Sequence, residues 1–106
     1  MRIVALFNLK PGVERERYER WARTTDMPTV KALASIADFQ VLRTTGLLGS
    51  EAPAPYQYLE IIDVADPEQF SRDVATEAMT RVAQAFQELA EVTFMLTEPL
   101  AAEEPA

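Results

Sequence analysis

Asp26, Glu60 and Arg43 are the side chains of this 106-residue chain best suited to hold or move a proton. The sequence contains no histidine and no cysteine. Imidazole bases, thiolate nucleophiles, disulfides and the usual zinc ligands are therefore out of reach, and so is the commonest axial haem ligand. Acid–base work falls to carboxylates, tyrosine, lysine, water or the substrate itself. No metal and no cofactor is expected.

Asp26 stands in TTDMPTVKAL, where an amphipathic run meets a proline. Two roles are open to it. It can cap a short helix that begins at the corner before Pro28. Alternatively, partial burial beside Trp21 and Met27 raises its pKa toward a working range for a general acid or base. Glu60 lies in YQYLEIIDV on the face of Tyr58 and Ile62, so it is directed into apolar surroundings and needs a partner. Arg43, on the neighbouring strand, is the expected one. Their pairing is either a structural ion pair or a site in which Arg43 holds a ligand oxygen while Glu60 handles a proton. Asp63, on the opposite face, reads as an exposed strand end. Tyr18, Trp21 and Tyr58, with Tyr56, Phe7 and Phe39, form either plain core or a flat pocket suited to stacking. Asn8 could orient a ligand oxygen, and Thr25 with Thr24 places hydroxyls near Asp26; the bland alternative is that such groups satisfy the backbone.

Hydrophobic periodicity supplies the elements that position these groups. RIVALFNL, residues 2–9, reads as a central strand ended by Lys10-Pro11-Gly12. Residues 13–23 take helical period, with Tyr18, Trp21, Ala22 and Thr25 on one stripe, and Glu16–Arg20 and Glu19–Arg23 paired on the outer face. Pro28 disfavours helical geometry at Met27, so a corner is expected, then a second short helix with Val30, Leu33 and Ala34 facing in. Strands follow over 37–46 and 56–64, joined by the loop GLLGSEAPAP with its exposed Leu47-Leu48 pair. Asp66-Pro67-Glu68-Gln69 starts a long helix with a jog near Thr76, running to about Ala90. Its buried stripe is Ala78, Met79, Val82, Ala83, Phe86, Leu89 and Ala90. A last strand covers 91–98.

This order is βαββαβ. Right-handed crossovers fold it into an α+β, ferredoxin-like domain over 1–98, a four-stranded antiparallel sheet with both helices on one face, followed by a flexible tail over 99–106. The other sheet face is apolar and bare, so a homodimer is expected, two sheets closing into an α+β barrel. Apolar residues make up 48% and charged residues 25%, as in an ordinary globule. The formal net charge of −7 repels phosphate backbones, which argues against nucleic acid as a partner. No run is long and apolar enough to span a membrane, and a strand that starts at residue 2 leaves no room for a signal peptide; a cytoplasmic location is expected.

The strings FNLKPGV, WARTTDMPTVKAL, VLRTTGLLG, APAPYQYLEIIDV and DVAT, in this order, resemble the REDY-like HapK family from Arg2 to about Glu98. The resemblance implies a dimeric α+β barrel and an association with bacterial pathways for prodigiosin-like pyrrole or indole pigments. It supplies no catalytic motif to transfer. The wider group of such barrels includes cofactor-free monooxygenases, dehydratases, cyclases and isomerases. One branch carries a His-x-Pro string at the end of the first helix; Asp26-Met27-Pro28 stands there in this chain, so a histidine mechanism does not carry over. The leading expectation is a small cofactor-independent enzyme acting on a small aromatic heterocycle by acid–base cyclisation, dehydration or isomerisation. The alternatives are a cofactor-free oxygenase, a carrier of a pigment precursor, and a structural partner docking through Leu47-Leu48.

Overall fold

The computed structural model describes residues 1–103. Five strands, β1 (Arg2–Leu9), β2 (Ile36–Arg43), β3 (Tyr58–Val64), β4 (Ala90–Glu91) and β5 (Phe94–Thr97), form one sheet. Four helices accompany it: α1 (Arg15–Trp21), α2 (Met27–Lys31), α3 (Pro67–Val74) and α4 (Glu77–Leu89). All pairings are antiparallel, in the order β2-β3-β1, with β4 and β5 end to end on the far edge of β1. This is the ferredoxin-like α+β fold expected from the sequence.

The fourth strand is not the single run expected over 91–98. β4 pairs with Asn8 and Leu9, β5 pairs with Arg2–Ala5, and Val92 and Thr93 leave the ladder between them. Val92 turns inward to pack against the core, which accounts for the break. The expected tail over 99–106 carries no regular structure up to residue 103, and its last three residues lie outside the described residues.

Strict alternation sorts the sheet. Ile3, Ala5 and Phe7 of β1, with Tyr58, Glu60, Ile62 and Val64 of β3, are buried beneath the helices. Phe7 is the hub of one core cluster, stacked on Tyr58 at 5.6 Å and edge-on to Tyr18 at 5.6 Å and Phe86 at 5.0 Å. A second cluster gathers Ile3, Val30, Phe39, Ile62 and Val64. Phe7, Tyr18 and Tyr58 are therefore core residues. The opposite sheet face carries Val4, Leu6, Leu42, Leu59, Ile61 and Met95, and Leu42 and Met95 are each 42% exposed there.

Polar contacts fix the connections. Asp66 caps α3 by accepting from the Glu68 and Gln69 amides, both at 3.1 Å. The jog falls where expected: Thr76 caps α4 and starts a new axis. Of the expected stripe, Val82, Phe86, Leu89 and Ala90 are buried and Met79 is half-buried, while Ala78 and Ala83 are exposed. Asp73 of α3 accepts from the Ser35 amide at 3.2 Å and the Ser35 hydroxyl at 2.6 Å, tying the helix to the entry of β2.

Candidate functional site

The helical run through TTDMPTV does not break at the proline. Residues 22–26 form a π-helical turn between α1 and α2, closed by the Met27 amide bonding to the Ala22 carbonyl five residues back. The expected corner is absent, and Met27 keeps helical angles of φ −61° and ψ −47°. A proline in an ordinary helix clashes with the carbonyl four residues earlier, and one extra residue in the turn relieves that clash. The same insertion changes the stripe. Tyr18, Ala22, Asp26 and Val30 are the buried positions, and Thr25 is exposed. Asp26 caps nothing: its backbone is helical and its side chain is 3% exposed.

Glu60, on β3, is 2% exposed and meets Asp26. The two carboxyl groups are close enough to share a hydrogen bond, which needs one proton between them. Apart from the proton they share, Asp26 Oδ2 and Glu60 Oε1 are enclosed and receive no bond from any donor among the described residues. Burial pushes both groups up from the ordinary carboxylate range. Glu60 rises further, because the charge on Asp26 and the bond between them add to its own burial. The pair as a unit therefore keeps one proton, and the stronger upward push on Glu60 favours its placement there, with Asp26 accepting. The Tyr18 hydroxyl, also buried and unpartnered, has its ionisation pushed up by burial and then by the negative charge of Glu60 and Asp26.

The pair forms part of the wall of a cavity of about 420 Å³ between sheet and helices. The rest of the wall is almost wholly apolar: Ile3, Phe39 and Ile62 from the sheet, Val30 from α2, Phe70 from α3, and Met79, Val82 and Phe86 from α4. Phe94 and Leu96 of β5 form an edge that is still 47% and 74% exposed. A general acid and a general base side by side, shielded from water, can deliver and remove a proton on one small flat molecule.

Arg43 is not the partner of Glu60. The strand register sets Val41 opposite Glu60 and Arg43 opposite Tyr58, one step nearer the strand end. There the Arg43 guanidinium grips Glu19 of α1 through Nε at 3.0 Å and Nη2 at 2.6 Å. Glu19 also accepts from the Tyr58 hydroxyl at 2.7 Å and from Arg23 at 3.0 Å. These donors, Arg43 first and Tyr58 next, hold its carboxyl down at about 2. Arg43 and Tyr58 thus serve a buttress between α1 and the sheet. Asn8 is engaged elsewhere. Its Nδ2 donates to the Pro55 carbonyl at 3.0 Å and its Oδ1 accepts from the Gln57 amide at 2.9 Å, so it latches the β2–β3 loop. Trp21 is half-buried against Tyr18 and Phe86, behind the first core cluster. Of the eight site candidates, Asp26 and Glu60 line the cavity; the Tyr18 hydroxyl lies near enough to feel their charge, and Tyr18, Arg43, Trp21, Tyr58, Asn8 and Thr25 do not line it. Sequence reasoning missed the Asp26–Glu60 partnership because a π turn leaves no trace in apolar periodicity. Among the described residues no group of three or more acidic, histidine or cysteine side chains is placed to hold a metal ion.

A family profile described as REDY-like protein HapK matches residues 1–100. The crystal structure of HapK from Hahella chejuensis is similar at 29% identity and a TM-score of 0.74, covering 100% of this chain and 99% of that one. The protein At3g17210 from Arabidopsis thaliana has a TM-score of 0.77 at 16% identity, with 97% and 98% covered. SnoaB from Streptomyces nogalater, a cofactor-independent oxygenase, has a TM-score of 0.64 at 19% identity, with 96% of each chain covered. The last two likenesses bear on the fold alone. No curated protein sequence matches the chain. The profile spans every strand and helix of the sheet-and-helix framework that carries Asp26 and Glu60, and the chain belongs to the REDY-like HapK family.

Proposed function

We propose that this chain is a cofactor-independent acid–base enzyme acting on a small, flat aromatic heterocycle of the pyrrole or indole kind. The observation that carries this reading is the buried carboxyl pair exposed to an apolar cavity. Glu60 delivers its proton to the bound ring system or its leaving group, and Asp26 removes one from the neighbouring atom. The sum is a cyclisation, dehydration or isomerisation that leaves the pair as it began. A volume of about 420 Å³ is within the range of small-molecule sites and suits one or two fused rings. The family's link with pyrrole pigments supports the same substrate class. The assembly we propose is a homodimer through the bare sheet face.

The test is turnover of pyrrole and indole candidates by the wild type and by Glu60→Gln and Asp26→Asn. Each variant is expected to lose roughly 10²–10⁴-fold in kcat, the usual worth of a positioned acid or base, while Glu60→Gln still binds its ligand. A carrier would keep its ligand and show no turnover in any form. Crystals soaked with the same compounds check the cavity: density away from Asp26 and Glu60 counts against this reading.

A further inference from the structure

We infer that the cavity selects a ligand carrying a delocalised nitrogen cation, such as an amidinium, a protonated aminopyridine or an iminium conjugated to a pyrrole-type ring. The inference rests on the proposed reading of the cavity as the substrate site and adds the charge that the substrate must bring.

Two carboxyl groups that share one proton carry one negative charge, held at 3% and 2% exposure. A buried charge of this kind is ordinarily matched by a cation. Every element packed against the pair fails to supply one. From β1 comes Ala5, opposite Glu60; from β2, Val41. From α3 and α4 the cavity receives Phe70, Met79, Val82, Phe86 and Gln87. From α1 comes the neutral Tyr18 hydroxyl, whose ionisation the pair itself opposes. Arg43 and Arg23 are both engaged by Glu19. Apart from the proton that the two carboxyl groups share, Oδ2 of Asp26 and Oε1 of Glu60 find no donor among the described residues.

Three kinds of ligand can then be ranked. An anion would add a second negative charge to a low-dielectric pocket with nothing to balance it. A neutral ring with one N–H satisfies one acceptor and leaves the charge unmatched. A planar nitrogen cation brings parallel N–H donors in the geometry carboxylates accept best, and its complex with the singly charged pair is neutral. A hard divalent ion is poorly served, since it wants six or more oxygen ligands and the site presents two carboxyl groups. The shared proton stays in place throughout, so binding needs no covalent or redox step.

The test is titration calorimetry at neutral pH with three probes of one size: benzamidine as cation, indole as neutral ring and benzoate as anion. Wild type is expected to bind benzamidine at least about tenfold tighter than either of the others, a difference of about 1.4 kcal/mol. Glu60→Gln leaves Asp26 ionised beside an amide donor and is expected to keep that preference. Asp26→Asn leaves Glu60 buried, unpaired and protonated, and is expected to lose it. Thermal melts of each variant confirm folding, and the wild-type ranking decides the matter without them. Benzoate or indole binding wild type as tightly as benzamidine overturns the inference, as does a preference retained in Asp26→Asn. If indole wins and Glu60→Gln still abolishes turnover, the charge assignment falls and the acid–base reading stands. If no probe binds, both fall.

Discussion

Glu60 holds its proton in a folded protein where a glutamate in water would have released it. The linkage has a definite sign. A carboxyl group whose folded pKa lies above its unfolded value contributes fully below the unfolded value and costs stability as pH climbs through the folded one. The melting temperature of wild type is therefore expected to fall as pH rises from about 4.5 to about 9, and Glu60→Gln is expected to flatten that fall. A variant whose profile parallels wild type would show that the proton is not held there. Glu19 behaves in the opposite sense. Its carboxyl, drawn down to about 2 by Arg43 and Tyr58, contributes above the ordinary carboxylate range and loses its contribution as pH drops toward that value. Glu19→Gln is expected to destabilise by about 1.5 kcal/mol in denaturant titration at neutral pH, the low end for hydrogen bonds to a charged group because Arg43 is half open to solvent. The acidic site residues were legible in the sequence as types and as faces. Their pairing was not, because Arg43 looked the nearer partner for Glu60 until the register moved it one step along the strand.

The π turn sets which residue of the first helical run faces the cavity. An ordinary helix advances about 100° per residue, so removing one residue from the turn rotates one flank against the other by that amount. Deleting Thr25, which is exposed, is expected to turn Asp26 and Val30 together out of line with Tyr18 and Ala22. The deletant should lose turnover and probe binding and also lose the alkaline instability attributed to the pair; a deletant with wild-type binding would show that the turn is dispensable. Helix starts were easier to read than helix interiors. Asp66 caps α3 as the capping pattern suggested, and the jog expected near Thr76 is a helix start that Thr76 itself caps. Thr76→Ala is expected to cost about 1 kcal/mol on thermal unfolding, since its hydroxyl accepts from the Met79 amide. Strand order and helix layering were legible because period-2 and period-3.6 patterns survive in sequence. The π turn and the broken fourth strand were not, because each is decided by a neighbour: Pro28 in one case, the pull of Val92 into the core in the other.

As a whole the molecule is a slab, about 52 × 41 × 18 Å, with one sheet and one layer of helices. Its radius of gyration of 15.7 Å exceeds the roughly 13 Å usual for a chain this long, as a thin slab requires. A slab so thin leaves the face of Leu6, Leu42, Ile61 and Met95 uncovered, the ground for the proposed homodimer. Ile61→Lys, at the centre of that face, is expected to convert a dimer into monomers by sedimentation velocity at micromolar concentration while circular dichroism stays native. A wild type that sediments as a monomer would remove the dimer from the proposal. The break between β4 and β5 has a consequence for how the slab fares in a crowded solution. An uninterrupted border would offer a stray chain a long template on which to add another strand. Here that border consists of two stubs of two and four residues, misaligned where Val92 and Thr93 step aside, so nothing longer than a stub can be copied. Fibril growth from this side is frustrated at its first layer, and the apolar sheet can remain available for a specific mate without inviting an endless one.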